Sequence, residues 1–253
     1  MSGSVNVQWS FALLLLLAPV AVGAGPGDDR WSEILAATVN GAGEVAYRSL
    51  AGQGQGRLAE ALRGFGTVDP VRLDRDGAVA FWVNAYNALV LSAVANGESP
   101  ETVATRARMF HWFGATIGGS RRTLDEISVI LDRFARADPR IHFALCNGTR
   151  GGPTLAGVPY TADGLYAELE DAARRFVRDP TKNRFDAFAG DIELSRLFEW
   201  YRPDFESEGG SLAGYVRRLV AGPGLAWFLA QAVEVRFRRF DWTLNAAPGE
   251  RPR

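Results

Sequence analysis

The chain has 253 residues, of which 47% are hydrophobic and 11% aromatic. That is enough apolar material to bury a sizeable core, and it favours one large domain over two small ones. With 28 basic residues against 29 acidic ones the net charge is −1, so electrostatics give no case for nucleic acid or an anionic membrane surface as partner. Two histidines and one cysteine are too few for a metal site built from Cys and His and exclude an internal disulfide, and neither metal nor cofactor is expected.

At the N-terminus, Phe11–Ala24 is an apolar run of about 14 residues, short of the roughly 20 that a spanning helix needs. Val22-Gly23-Ala24 supplies the small residues of a cleavage site. The pattern predicts a signal peptide over residues 1–24 and export to the periplasm or medium, with no stable membrane span after cleavage. Met1–Ser10 has no lysine or arginine, which leaves an uncleaved interfacial anchor as the alternative. No cysteine follows the run, so a lipoprotein anchor is excluded.

The remaining 25–253 reads as a single domain. Trp31–Asn40 and Arg57–Phe65 are expected helices, each closed by a glycine, with Gly52–Gly56 a loop between them. Asp74-Arg75-Asp76-Gly77 is the N-cap of the next helix; a calcium loop would need further ligands on either side. Gly77–Asn96 has the spacing of a helix buried nearly all round. Asn84 and Asn87 share one of its faces, with Trp82 and Tyr86 on an adjacent one. Buried amides must find partners. Either they tie this helix to a neighbouring segment, or Asn84, with Trp82 and Asn87, lines a ligand pocket.

Further along, Met109–Phe113 is an aromatic cluster in which His111 is expected to pack. Ala115–Ile117 reads as a short strand turning at Gly118-Gly119. Thr123-Leu124-Asp125-Glu126 is a capping box that opens a helix to about Ala137, stopped by Asp138-Pro139. Ile141–Cys146 looks like a buried strand ending at Asn147-Gly148. As a strand it would put His142, Ala144 and Cys146 on one face, with Cys146 about 13 Å from His142 and unable to use it as a base. Cys146 is then an inert buried thiol. Helices are expected over residues 162–177, 195–201, 211–220 and 224–232, a hairpin over 184–194, and a half-exposed strand over Val233–Phe240. The sum is an α+β fold, mostly helical, with a small and mainly antiparallel sheet.

No nucleophile elbow, phosphate loop or His-Glu-x-x-His motif occurs. A site can still be assembled from distant residues. His142 and Asp241 would pair, the carboxylate fixing the imidazole tautomer so that the other nitrogen serves as a general base, and Asn84 would donate to an oxyanion. The competing reading makes His142 and Asp241 a buried structural pair.

Five blocks in order resemble the family called domain of unknown function 547: Phe81–Leu89, Thr123–Ile127, Ile141–Leu145, Ile192–Phe205 and Phe240–Asn245, within a span of about 34–245. The resemblance implies one domain and no established activity. It also implies a cysteine two residues after Leu145 and a Cys-Pro further on, where this chain has Asn147 and Gly152-Pro153. Helix, His-led strand and Asp-bearing strand are loosely similar to transglutaminase-like thiol enzymes, but Trp82 stands where their nucleophile would be. Two functions follow as expectations. One is an exported binding or scaffold module of the cell envelope, with an unknown ligand or envelope protein as partner; the other is a hydrolase or transferase using His142 as base.

Overall fold

The computed structural model describes residues 26–186, 191–220, 222 and 234–252. The expected signal peptide and the expected helix over 224–232 lie outside the described residues. Three helices come first: α1 (Pro26–Thr38), α2 (Tyr47–Leu50) and α3 (Gln53–Thr67). The glycine-rich stretch after Gly52 is the opening turn of α3 and not the loop expected from its composition. Gly54 is required there, because a Cβ would come within 2.5 Å of the Ser49 carbonyl oxygen as α3 starts against α2.

Helix α4 (Arg75–Ala95) is the axis of the first core. Its N-cap is Asp74, whose carboxylate accepts from the Gly77 N–H at 2.8 Å, so the acidic tetrapeptide caps a helix. Every residue from Ala78 to Ala95 is buried. By length and composition α4 could cross a membrane, but here the protein itself encloses it. A helix apolar on all sides has no solvent face and needs neighbours all round.

Two amides make α4 specific about those neighbours. Asn84 accepts from the Tyr160 N–H at 3.0 Å and from Trp31 Nε1 at 3.2 Å, and donates to the Tyr160 carbonyl at 2.8 Å. Asn87 donates to the Ala144 carbonyl at 3.0 Å and accepts from the Cys146 N–H at 2.9 Å. Each side chain stands in for a strand's backbone against a loop that has no strand partner at that point.

Beyond α4, helix α5 (Val103–Ala107) runs into a π turn over Arg108–Trp112, where the Phe113 N–H reaches the Arg108 carbonyl. Strands β1 (Gly114–Ile117) and β2 (Ser120–Thr123) form an antiparallel hairpin. Its turn is Gly118-Gly119, both at positive φ (60° and 75°), as a two-residue turn matched to strand twist requires. Helix α6 (Leu124–Ala135) then opens on the expected capping box, with Thr123 and Glu126 bonded reciprocally.

Pro139–Phe143 is a 3-10 turn, which corrects the strand expected over Ile141–Cys146. Asp138 accepts from the Arg140 N–H at 3.2 Å and Pro139 occupies the first position, so Asp-Pro starts this turn as well as ending α6. A 3-10 helix has three residues per turn, and successive side chains point in three directions. Ile141 enters the first core, Phe143 the second, and His142 faces a third way.

The second core gathers Phe143, Phe176, Phe198, Phe205 and Tyr215 from the turn and from α7 (Leu165–Arg178), α8 (Leu197–Trp200), α9 (Arg202–Gly209) and α10 (Leu212–Leu219). A three-stranded sheet lies with it. Strand β3 (Arg184–Asp186) is antiparallel to β4 (Asp191–Leu194), and β4 is parallel to β5 (Val235–Phe237). The fold is therefore α+β and mostly helical, its strands divided between two small sheets. Residues 241–247 close the structure by threading between the loop at 148–151 and Val45, with Asn245 accepting from the Tyr47 hydroxyl at 2.7 Å.

Replacing Asn84 or Asn87 with alanine strands buried backbone groups of a facing loop, at about 1–3 kcal/mol for each unmet group. Urea denaturation should show either variant destabilised by at least ~2 kcal/mol at an unchanged m-value. A loss below ~0.5 kcal/mol would show that these bonds do not hold the loops.

Candidate functional site

A cleft of about 410 Å³ opens where α4, α5, α6, α8 and the C-terminal segment meet. The α5–π segment presents Val103, Arg106, Ala107, Phe110 and His111 to it, spaced as one face of a helix. Helix α6 contributes Asp125 and Ser128, one turn apart, and the end of α8 contributes Trp200 and Tyr201. Trp242 completes an aromatic wall, its ring 5.7 Å from that of Trp200, while the Arg106 guanidinium lies over Trp242 at 3.7 Å. Arg106 also donates to the Pro100 carbonyl at 3.0 Å. It makes no ion pair with a carboxylate among the described residues, and burial lowers its pKa.

His111 was expected to pack among aromatics, and the structure corrects this. Its side chain is 58% exposed and Nδ1 is paired with the Asp125 carboxylate at the edge of the cleft. The π turn shifts the helical register, so His111 reaches solvent while Met109 is the fully buried member of the cluster. Asp125 belongs to the capping-box tetrapeptide, and its second role across the fold has no signature in the sequence.

His142 also lines this cleft, beside Tyr201. Its ring stacks on Tyr201 at 3.8 Å between centroids, its side chain is 1% exposed, and Nε2 sits 2.9 Å from Asp204 Oδ2. Burial lowers its pKa, and Asp204 and Asp132 only partly oppose that. A neutral ring would donate through Nε2–H to the Asp204 side chain. Burial together with nearby Asp204 raises the Asp132 carboxyl, although His142 acts to lower it. Tyr201 is pushed up to about 12 by burial and then by the charges of Asp132 and Asp204.

The expected pair of His142 and Asp241 does not form. Asp241 is exposed, with Oδ1 accepting from the Thr243 N–H at 2.9 Å and the Thr243 hydroxyl at 2.7 Å, and it lines a different cleft. Asp204, in the Asp-Phe of a block that carried the family resemblance, takes its place. Trp82, Asn84 and Asn87 line neither cleft; all three are buried, and the amides hold loops in the way just described. Cys146 is fully buried, its thiol pKa raised by burial, with the Asn245 amide donating to Sγ at 3.4 Å. The two places where the resemblance implies cysteine lie against each other. A Cβ on Gly152 would fall 2.2 Å from Asn147 Oδ1, which accepts from the Thr149 hydroxyl at 2.6 Å.

Fold and site together define a mostly helical α+β protein with an aromatic cleft whose lining includes a buried histidine bonded to a carboxylate. Residues 70–177 match the model of the family described as "Protein of unknown function, DUF547". This span contains Asn84, Asn87, His111, Asp125, His142 and Cys146, whereas Trp200, Tyr201, Asp204 and Trp242 lie beyond it. No curated protein and no solved structure matches the chain.

With Asp204 replaced by Asn, the influence that raises the His142 pKa is removed, and the NMR titration of His142 should move further below the ordinary value. Asp241→Asn should leave that titration where it is. The sign for stability follows from linkage. A histidine whose folded pKa is depressed contributes stability above its unfolded pKa of about 6.5, and that contribution is lost as pH falls through the folded value. Urea midpoints should accordingly drop on the acid side of that window. A His142 response to Asp241→Asn and none to Asp204→Asn would reverse the assignment.

Proposed function

We propose that this protein is an exported binding domain of the cell envelope, which takes a flat, ring-bearing ligand against the aromatic wall of the first cleft. The observation that carries this is the wall itself: Phe110, Trp200, Tyr201 and Trp242 around a space of about 410 Å³, with Arg106 and the His111–Asp125 pair as the polar groups at its edge. Binding sites are commonly concave, of several hundred cubic ångströms and largely apolar, with a few polar groups that fix orientation. A ring stacked on Trp200 or Trp242 would direct an acidic substituent to Arg106, whose fork suits a carboxylate.

The alternative of hydrolysis or transfer with His142 as base has less support. Its side chain is shielded by Tyr201, its Nε2 faces Asp204, and the one thiol is sealed in the core. His142 does line the cleft, but its side chain is nearly all buried and its Nε2 is taken by Asp204, while the Cys146 thiol is not part of the lining.

The probe for the cleft is 2-naphthoate, followed by quenching of tryptophan fluorescence and by saturation-transfer NMR. Saturable binding is expected, and Trp200→Ala should weaken it by roughly tenfold or more, since aromatic anchors carry much of the energy of such contacts. Absence of binding, or equal affinity in the variant, would sink the ligand assignment.

Export rests on the apolar run Phe11–Ala24 and the small residues before the expected cut. Protein recovered from the periplasm or medium should begin at Gly25. Intact Met1 on cytosolic protein would overturn it.

A further inference from the structure

A second cleft, of about 380 Å³, shares no lining residue with the first. Its cations are Arg150, Lys182, Arg196, Arg238 and Arg239. The carboxylates that face them are Glu44, Asp179 and Asp241. Among the lining residues cations exceed carboxylates by two, and one of those cations, Arg196, is paired with Glu199 outside the lining, which leaves a surplus of one positive charge to attract an anion.

The arrangement of these groups is more telling than their number. Lys182 is the only lysine in the chain, and its side chain is 5% exposed, with Nζ 2.6 Å from Asp179 Oδ2. An ammonium has three N–H donors, and the described residues give this one a single hydrogen-bond acceptor. Asp179 is itself occupied, accepting also from the Thr181 N–H at 2.9 Å and hydroxyl at 2.6 Å. Of the arginines, Arg150 pairs with Glu44 at 3.4 Å and Arg196 with Glu199 at 2.7 Å. Among the described residues the Arg238 guanidinium donates to the Pro180 carbonyl, at 3.0 Å, and neither it nor that of Arg239 has a carboxylate partner. These two are consecutive just past the end of β5 yet both line the cleft, which they can do because strand alternation has ended there. Ser195 is buried in the wall, its oxygen accepting from the Leu197 N–H at 3.3 Å, which leaves its own O–H free to donate. Of the three lining carboxylates, Glu44 and Asp179 are paired with Arg150 and Lys182, while Asp241 has no cation partner among the described residues and its Oδ1 is held by Thr243.

We propose that this second cleft binds the phosphate group of a small soluble molecule, held by the Lys182 ammonium at its base and by Arg238 and Arg239 at its side. A phosphate there would accept the unused N–H donors of Lys182 in charge-assisted bonds and neutralise the two arginines that have no acid partner. Because Lys182 is nearly enclosed, an anion must enter the cleft to reach it, which favours a free phosphomonoester over a headgroup in a bilayer.

The test is calorimetric titration of methyl phosphate into the protein, at an ionic strength held constant with sodium chloride. Saturable binding at one site is expected. The double variant R238Q/R239Q should bind at least ~10-fold more weakly with an unchanged thermal unfolding midpoint, since hydrogen bonds between charged groups are lost. Arg63→Gln removes a charge from an exposed side chain on α3 and should leave the affinity within about twofold, as a distant screened charge does. Lys182→Met should also abolish binding; where its loss unfolds the protein, the arginine variant carries the test. No saturable binding, or equal affinity in R238Q/R239Q, overturns the proposal. So does sedimentation with phosphatidylglycerol vesicles in the absence of methyl phosphate binding, which would assign these cations to a membrane surface.

Discussion

The hydrogen-bonding demand of two buried amides on α4 governs how the rest of the chain is placed. A helix that is apolar on every side can be covered in many ways, because burial of hydrocarbon is not directional. Asn84 and Asn87 remove that freedom. Each must meet backbone groups of matching polarity or cost free energy, and the groups they meet belong to Tyr160 and to Ala144 and Cys146, far along the chain. Trp31 from α1 joins the same oxygen of Asn84, so three distant segments are registered by one side chain.

The segment held by Asn87 is also where the two cores join. Because the 3-10 turn distributes Ile141, His142 and Phe143 in three directions, one short stretch feeds an aliphatic core, an aromatic core and a polar pair at the first cleft. The stacking of His142 on Tyr201 and its bond to Asp204 fasten α8 and α9 to this turn. Tyr201 presents its other surroundings to the cleft, so the buried pair supports the wall that a ligand would touch. The pair shares one hydrogen bond, from the imidazole Nε2 to Asp204 Oδ2, next to the ring of Tyr201.

The two clefts differ in kind. The first is walled by rings and has few charges, and specificity there would come from shape and stacking. The second is polar and carries more cations than carboxylates, with an enclosed lysine at its base. The C-terminal segment connects them, as Trp242 belongs to the first and Asp241 to the second. Adjacent residues of one extended stretch point to opposite sides, so a shift of this segment would alter both clefts together.

Local order was legible in the sequence where it depends on residues a few positions apart. The Asp74 N-cap, the Thr123–Glu126 capping box, the Gly118-Gly119 turn and the all-round burial of α4 each follow from contacts within about one turn, and each is found as expected. The amides on α4 announced that they needed partners, though not which ones. The failures have the same physical source. Asp138-Pro139 serves equally to stop one helix and to start another turn, so the strand expected over Ile141–Cys146 was a choice that only packing between two cores could make. Asp204 and Asp241 both sit in recognisable blocks, and nothing local distinguishes the carboxylate that lies 62 residues from His142 as its partner. His111 turned outward because a π turn rotated it relative to Met109, a register that depends on what the helix packs against. Caps, turns and periodicity were thus determined by the sequence alone, while pairing across the fold was decided by the tertiary structure, since it depends on distances that exist only once the two cores have closed.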